Sequence, residues 1–101
     1  MVLNRVLVYM RELTATQIKT ALKVVPDWNK RGAAIVRTFV FKDFPAAVKF
    51  VNAVARLAEK AGHHPDIDVR WNKVTLTLTT HDAGGLTKKD FMLAKEFDRL
   101  G

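Results

Sequence analysis

The sequence predicts an α+β fold in which a four-stranded antiparallel sheet has helices packed on one face, in the order α-β-β-α-β-β-α. Three segments carry apolar residues at helical spacing, and each follows a residue suited to capping a helix. Between them lie stretches typical of strands. With 101 residues, 49% of them hydrophobic, the chain has the size of one domain. We therefore expect a single domain over residues 1–101, in which residues 1–12 form an N-terminal extension.

The first helix is predicted from its two ends. Thr14, followed three residues later by Gln17, has the spacing of a capping box. Pro26 stops the helical pattern. We expect the helix to run from Ala15 to Val24, with one apolar face made of Ile18, Ala21, Leu22 and Val25.

A strand is predicted before the central helix. Lys30-Arg31-Gly32 indicates a turn, and the β-branched and aromatic residues that follow favour a strand up to Phe41. One side of this strand should carry Ile35, Arg37, Phe39 and Phe41.

The central helix has the clearest signals. Asp43 can cap it, Pro45 suits its first turn because the missing N–H has no helical partner there, and Gly62 suits its C-terminal end. The predicted buried stripe consists of Ala47, Phe50, Val51, Val54, Leu57, Ala58 and Ala61.

A β-hairpin is predicted next. Ile67, Val69 and Trp71 alternate with charged residues, which indicates a half-buried strand, and Asn72-Lys73 is a candidate tight turn. The returning strand alternates apolar residues with threonines, so its threonine face could meet solvent or a partner.

The last helix should follow a break at Gly84-Gly85. Thr87 and Asp90 have capping-box-like spacing. The apolar residues that drive this helix are Phe91, Leu93, Ala94, Phe97 and Leu100.

Composition restricts the function. The net charge of +7 is spread along the whole chain without a dense basic tract, so a nucleic-acid partner is not expected. The absence of cysteine excludes thiol chemistry and disulfides. The apolar run Val6–Met10 is too short to span a bilayer, so we expect a cytoplasmic protein without a membrane partner.

A cluster of titratable residues indicates a site. All three histidines, His63, His64 and His81, lie within 19 residues of one another, and Glu59 lies one helical turn before His63. Imidazoles transfer protons near neutral pH, so this grouping suits acid–base chemistry. Glu59 and His63 should share one side of the helix end, and His64 should point elsewhere.

Simpler interpretations exist for each residue. A His-His-Pro sequence after a helix is often a polar connector, Asp90 could serve only the N-terminus of the last helix, and a tryptophan is more often a core anchor than a stacking platform. The same histidines and Glu59 could also bind a metal, but no metal-site spacing accompanies them, so no metal is expected.

The joint spacing decides between these interpretations. The run Glu59-x3-His63-His64-Pro65-x5-Trp71-x9-His81-x8-Asp90 resembles the signature of the pterin-4a-carbinolamine dehydratases. Upstream, Trp28-Asn29 and the stretch from Phe39 to Phe44 are also similar to that family. The resemblance covers roughly Leu13 to Leu100 and leaves out Met1 to Glu12.

The resemblance implies a lyase that removes water from 4a-hydroxytetrahydrobiopterin and gives the quinonoid dihydropterin, in recycling of the pterin cofactor of aromatic amino-acid hydroxylases. The pterin is the substrate, and no cofactor is implied. The implied catalytic residues are His63, His64, His81 and Glu59. The implied substrate-binding residues are Trp28, Gly62, Pro65, Thr79, Thr80, Asp82 and Asp90.

The resemblance also implies partners. Members of the family assemble as dimers or dimers of dimers through a sheet edge and the long helix, so a homo-oligomer, up to a homotetramer, is expected. The alternative function is a non-enzymatic one, in which the domain is a dimerisation cofactor of a transcription factor. The helix residues that could form such an interface are Ala47, Val51, Val54 and Ala58, although core packing also accounts for them.

Overall fold

The computed structural model describes residues 11–101, and the expected extension therefore lies largely outside the described residues. Three α-helices, four strands and one short 3₁₀ helix make up this part of the chain. The helices are α1 (Ala15–Leu22), α2 (Phe44–Ala61) and α3 (Lys88–Leu100), and the 3₁₀ helix is His81–Ala83. The strands are β1 (Asn29–Arg31), β2 (Ala34–Val40), β3 (Asp66–Arg70) and β4 (Lys73–Leu78).

The four strands form one antiparallel sheet in the order β1-β2-β4-β3. Strand β4 lies in the centre, where Leu76 is opposite Arg37 of β2 and Ile67 of β3. Helix α2 packs against β4 and α3. The predicted α+β class, with its helix and strand order, is confirmed.

The core lies between the sheet and the helices. Because side chains alternate along β4, Val74, Leu76 and Leu78 are buried while Thr75 and Thr77 are only half-buried on the other face. The larger buried side chains that meet the sheet are Ile18, Trp28, Phe50, Val54, Phe91 and Phe97. Three aromatic rings pack in sequence, with Phe39–Phe50 and Phe41–Phe50 centroids 4.6 and 4.9 Å apart.

The helix caps form as the sequence predicts. Thr14 and Gln17 make the reciprocal capping box of α1, and Asp43 accepts a hydrogen bond from the Ala46 N–H at the start of α2. Helix α2 ends at Gly62, whose φ of 64° is left-handed. Two details differ: α1 ends at Leu22 rather than Val24, and Ala61 is exposed rather than part of the buried stripe of α2.

The predicted turn at Lys30-Arg31-Gly32 is displaced. Residues Asn29–Arg31 form the short strand β1, and the turn to β2 falls on Gly32 and Ala33. All three residues of β1 are exposed, so antiparallel pairing with β2, in which Lys30 lies opposite Ile35, holds this strand in the sheet rather than apolar burial. Strand β2 ends at Val40, one residue earlier than expected.

The expected half-burial of β3 is wrong in this chain. All five of its residues are exposed, including Ile67 and Val69 at 39% and 37%. The reason is position, because within residues 11–101 β3 is an edge strand that pairs only with β4. The hairpin turn also shifts from Asn72-Lys73 to Trp71-Asn72, and Trp71, expected in the strand, has a positive φ of 51°.

The last helix keeps its predicted face, except that Leu100 is exposed. No helix within residues 11–101 is both long and apolar enough to cross a membrane.

Candidate functional site

The end of α2 brings the two adjacent histidines to different places. Gly62 reverses the chain direction, and the Gly62 and His63 N–H groups still bond to carbonyls of the last helical turn, with His63 N–Ala58 O at 3.2 Å. His63 therefore turns towards α3, whereas His64 returns towards the outer surface of α2. Gly62 thus separates two side chains that are neighbours in sequence.

His63 forms a short contact with a buried carboxylate. Its Nε2 lies 2.6 Å from Oδ1 of Asp90, and the two side chains are 13% and 0% exposed. A carboxylate can only accept hydrogen bonds, so the Nε2 atom of His63 carries the proton in this contact. In the neutral ring, Nδ1 is then left with a lone pair.

The other oxygen of Asp90 is also fully used. Asp90 Oδ2 accepts the Thr80 hydroxyl at 2.8 Å and the Thr87 backbone N–H at 2.9 Å. The Thr80 and Thr87 hydroxyl oxygens are themselves 2.9 Å apart. Asp90 therefore serves both as the N-terminal cap of α3 and as the partner of His63, so the two interpretations of this residue are compatible.

His81 lies on a short closed loop after β4. The backbone of Thr80 bonds to Gly85 in both directions, at 3.1 and 3.3 Å, and the 3₁₀ helix His81–Ala83 fills the loop between them. Because Thr80 also contacts Asp90, this loop is tied directly to the N-terminus of α3. His81 itself is exposed.

These elements enclose one cleft of about 300 Å³. All three histidines line it, from the end of α2 and from the loop after β4. The full lining consists of Gly62, His63, His64, Thr79, Thr80, His81 and Asp82. The cleft thus brings together two segments whose residues lie up to 20 positions apart in sequence. The catalytic and binding roles of these residues stay predictions.

Glu59 pairs with a different histidine from the one expected. Its Oε1 lies 2.8 Å from Nε2 of His64, and both side chains are mainly exposed, at 81% and 64%. The expectation that Glu59 and His63 share one side assumed a helix that continued through Gly62. Because Gly62 is left-handed, the helical geometry ends before His63, and His63 contacts Asp90 instead.

Three residues of the implied substrate-binding set do not line the cleft. Trp28 is buried in the core, where its indole N–H donates to Asp98 Oδ1 at 2.7 Å. Pro65 lies half-buried in the connection between His64 and β3. Asp90 does not line the cleft either and stands behind His63.

The sequence reasoning missed Thr87 as part of this site. Thr87 was assigned only to the start of α3, yet its side chain is fully buried against Thr80. A buried threonine at a helix start looks the same in sequence as an exposed one, so only its capping-box partner Asp90 could have indicated it.

His63 also lines a second cavity, of about 480 Å³. The rest of that lining comes mainly from α3, including Met92 and Leu93, and contains no other histidine. Among residues 11–101, no three or more histidine, aspartate or glutamate side chains are grouped so that they could hold a metal ion.

The fold and the cleft define a class: a small α+β protein in which three histidines line a cleft at the ends of α2 and β4. Comparison with known proteins agrees with this class. The family model described as pterin 4 alpha carbinolamine dehydratase matches residues 11–100. The chain belongs to this family.

Individual relatives extend over nearly the same length. A Chloroflexus aurantiacus protein, provisionally named pterin-4-alpha-carbinolamine dehydratase, is 56% identical over 90% of this chain and 98% of its own. A Nocardia farcinica protein with the same provisional name is 54% identical over 87% of this chain and 93% of its own.

Solved structures show the same fold. A crystal structure from Brucella melitensis, described as a transcriptional coactivator/pterin dehydratase, has a TM-score of 0.86 and 36% identity over 89% of this chain and 98% of that chain. A pterin dehydratase-like protein, described as a RuBisCO assembly factor in the alpha-carboxysome, has a TM-score of 0.60 over 72% of this chain and 84% of that chain. At 24% identity it supports the fold alone.

Proposed function

We propose that this protein dehydrates a 4a-hydroxytetrahydropterin to the quinonoid dihydropterin and water, in recycling of the pterin cofactor of aromatic amino-acid hydroxylases. One observation carries the proposal: three imidazoles from two separate segments line one cleft, and one of them is held by a fully buried carboxylate. Membership in the dehydratase family supports the same reaction.

The reaction needs two proton transfers and no redox partner. The C4a–O bond breaks, the leaving hydroxyl takes a proton and departs as water, and a ring N–H gives up a proton as the new double bond forms. The protein therefore needs one donor and one acceptor on different sides of the ligand. Histidines at separate positions in the cleft meet this requirement, and no metal or organic cofactor takes part.

His63 is the proposed proton acceptor. Asp90 fixes the proton of His63 on Nε2 and leaves Nδ1 to accept, and the negative carboxylate stabilises the imidazolium that forms. His64 and His81 are the proposed donors, and Glu59 is proposed to orient the His64 ring through the 2.8 Å contact. Thr79, Asp82 and the backbone of Gly62 are proposed to bind the pterin ring at the cleft wall.

Removal of either of two histidines tests the proposal. We expect His63→Ala and His81→Ala each to lower the rate of carbinolamine dehydration by about 10²-fold, because a positioned acid or base typically contributes roughly 10²–10⁴-fold. The rate is followed by stopped-flow absorbance with purified protein. Lys42→Ala, an exposed change outside the cleft residues, is the control. Wild-type rates in both histidine variants would contradict the assignment.

We also propose that the protein forms a homo-oligomer, a dimer or a dimer of dimers, in which the edge of β3 pairs with a second copy. The whole edge of this strand is exposed, and it carries alternating apolar and charged residues. An antiparallel pair centred on Val69 places Asp68 opposite Arg70 of the second copy on both sides of the two-fold axis. This register brings opposite charges together and matches apolar side chains.

A second candidate function is a protein-partner module, including a dimerisation cofactor of a transcription factor. The observation that favours it is the exposure of apolar side chains on β3 and on α2, where Ile67, Val69 and Val48 are each more than a third exposed. The histidine variants distinguish the two functions, because partner binding through β3 and α2 does not depend on the imidazoles.

A further inference from the structure

We propose that Thr80 and Thr87 are positioning residues, which hold Asp90 and thereby orient His63 for proton transfer. This inference rests on the proposed dehydration. Neither threonine needs to touch the pterin for this role. It reassigns Thr80, whose expected role was substrate binding, and adds Thr87, for which no role in the site was expected.

The direction of the hydrogen bonds follows from donor and acceptor counting. Asp90 can only accept, so the Thr80 hydroxyl donates its one proton to Asp90 Oδ2 across 2.8 Å. The Thr80 oxygen then accepts from the Thr87 hydroxyl, 2.9 Å away. The result is a hydrogen-bond chain in which Thr87 donates to Thr80 and Thr80 donates to Asp90, while the Nε2–H of His63 donates to the other oxygen of Asp90.

Burial makes this chain of hydrogen bonds rigid and makes the loss of any one of them costly. Thr80, Thr87 and Asp90 are all more than nine-tenths buried, so water has little access to replace a missing hydroxyl. Asp90 Oδ2 has two donors, and removal of the Thr80 hydroxyl leaves only the Thr87 N–H. The carboxylate could then rotate, and the Nε2–H of His63 would lose its fixed acceptor.

The chain also couples the two halves of the cleft. Thr80 directly precedes His81, and its backbone closes the loop that carries His81. The same residue thus orients His63 through Asp90 and anchors the loop of His81. A change in the Thr80 side chain is therefore expected to alter the positions of both His63 and His81, although Thr80 itself transfers no proton.

The test compares Thr80→Val, which keeps the shape and removes the hydroxyl, with Thr80→Ser, which keeps the hydroxyl. Thr75→Val is the matched control, because Thr75 forms a similar hydroxyl pair with Thr38 at 2.8 Å on the other face of the sheet. Two properties are measured in full-length protein: the kcat and KM of carbinolamine dehydration, and the ¹⁵N and ¹H NMR signals of the His63 ring without substrate.

For Thr80→Val we expect a fall in kcat of roughly tenfold with KM little changed, as when one orienting hydrogen bond to a charged group is lost. The His63 Nε2–H signal should exchange faster with solvent, and the ring should populate both tautomers. Thr80→Ser should restore both properties, and Thr75→Val should alter neither.

The inference is overturned if Thr80→Val keeps the wild-type His63 signal and kcat, or if Thr80→Ser is as impaired as Thr80→Val. If Thr80→Val does not fold, Thr87→Val removes only the outer hydroxyl and is measured in the same way, with a smaller change in the same direction expected. The NMR signals need no substrate, so a wild-type protein without dehydratase activity would refute the proposed reaction while the signals still decide the role of the threonines.

Discussion

Asp98 shows how a single side chain on α3 supports the fold away from the cleft. Its Oδ1 accepts both the Trp28 indole N–H at 2.7 Å and the Arg37 guanidinium at 2.6 Å. Arg37 in turn stacks over the ring of Phe39 at 4.0 Å. This carboxylate therefore satisfies the one polar atom of a buried tryptophan and accounts for the position of Trp28 in the core.

Removal of Asp98 should destabilise the protein. We expect Asp98→Ala to lower the free energy of unfolding by about 2 kcal/mol, because it leaves the buried Trp28 N–H without an acceptor. Glu96→Ala on the same helix is the control. Glu96 forms an exposed pair with Arg99, so its removal should cost less than about 1 kcal/mol. Urea unfolding followed by tryptophan fluorescence measures both, and equal losses would argue against this role of Asp98.

At the scale of elements, the end of α2 decides the geometry of the cleft. Gly62 has a φ of 64°, and nothing lies within 4 Å of the position that a Cβ would occupy. A side chain there would thus meet backbone strain rather than a clash. Gly32 has a φ of 58° and equally open surroundings, but it lies in the β1–β2 turn.

These two glycines make a matched pair. Gly62→Ala and Gly32→Ala should each lower the free energy of unfolding by about 1 kcal/mol, since a left-handed alanine costs roughly 1–2 kcal/mol. Only Gly62→Ala should also lower the rate of carbinolamine dehydration, because relaxation of the strained residue moves His63 relative to His64. Thermal unfolding and stopped-flow rates are compared. An equal fall in activity for both variants would show that activity follows stability and not the geometry of the helix end.

At the scale of the whole molecule, the exposed edge of β3 is the surface that we propose pairs with a second copy of the chain. In the part of the chain that the structure describes, Ile67 and Val69 are exposed on a strand that has unpaired backbone groups along one side. Pairing of two copies would cover both. The half-burial predicted from the alternation in β3 is wrong for one chain, and it would be regained in an oligomer of this kind.

A charge at the proposed two-fold axis tests this assembly. Val69→Lys would place two ammonium groups opposite each other across the paired strands, which is destabilising. We expect the Val69→Lys variant to have a lower assembly mass by light scattering at micromolar concentration than the wild type. Val24→Lys, at an exposed apolar residue just after the end of α1, should keep the wild-type mass. A monomeric wild type, or an unchanged mass for Val69→Lys, would contradict pairing through β3.

Local signals explain how much of the fold could be predicted. The Thr14 capping box, the Asp43 cap and the stop at Gly62 involve residues within a few positions of one another, so their geometry follows from the local sequence. The alternation in β4 likewise gave the correct buried face. The edge position of β3 could not be obtained in this way, because an edge strand and a central strand can share the same alternation.

The amino-acid sequence by itself determined the helices, the strands β2, β3 and β4, the family resemblance and the set of histidines, because each depends on residue type and spacing along the chain. Only the tertiary structure decided that His63 pairs with Asp90 and His64 with Glu59, and that Thr87 lies behind the cleft. These contacts depend on the reversal at Gly62 and on how α3 packs beside α2 and the sheet. They join residues up to 27 positions apart, a separation over which no local pattern specifies a partner.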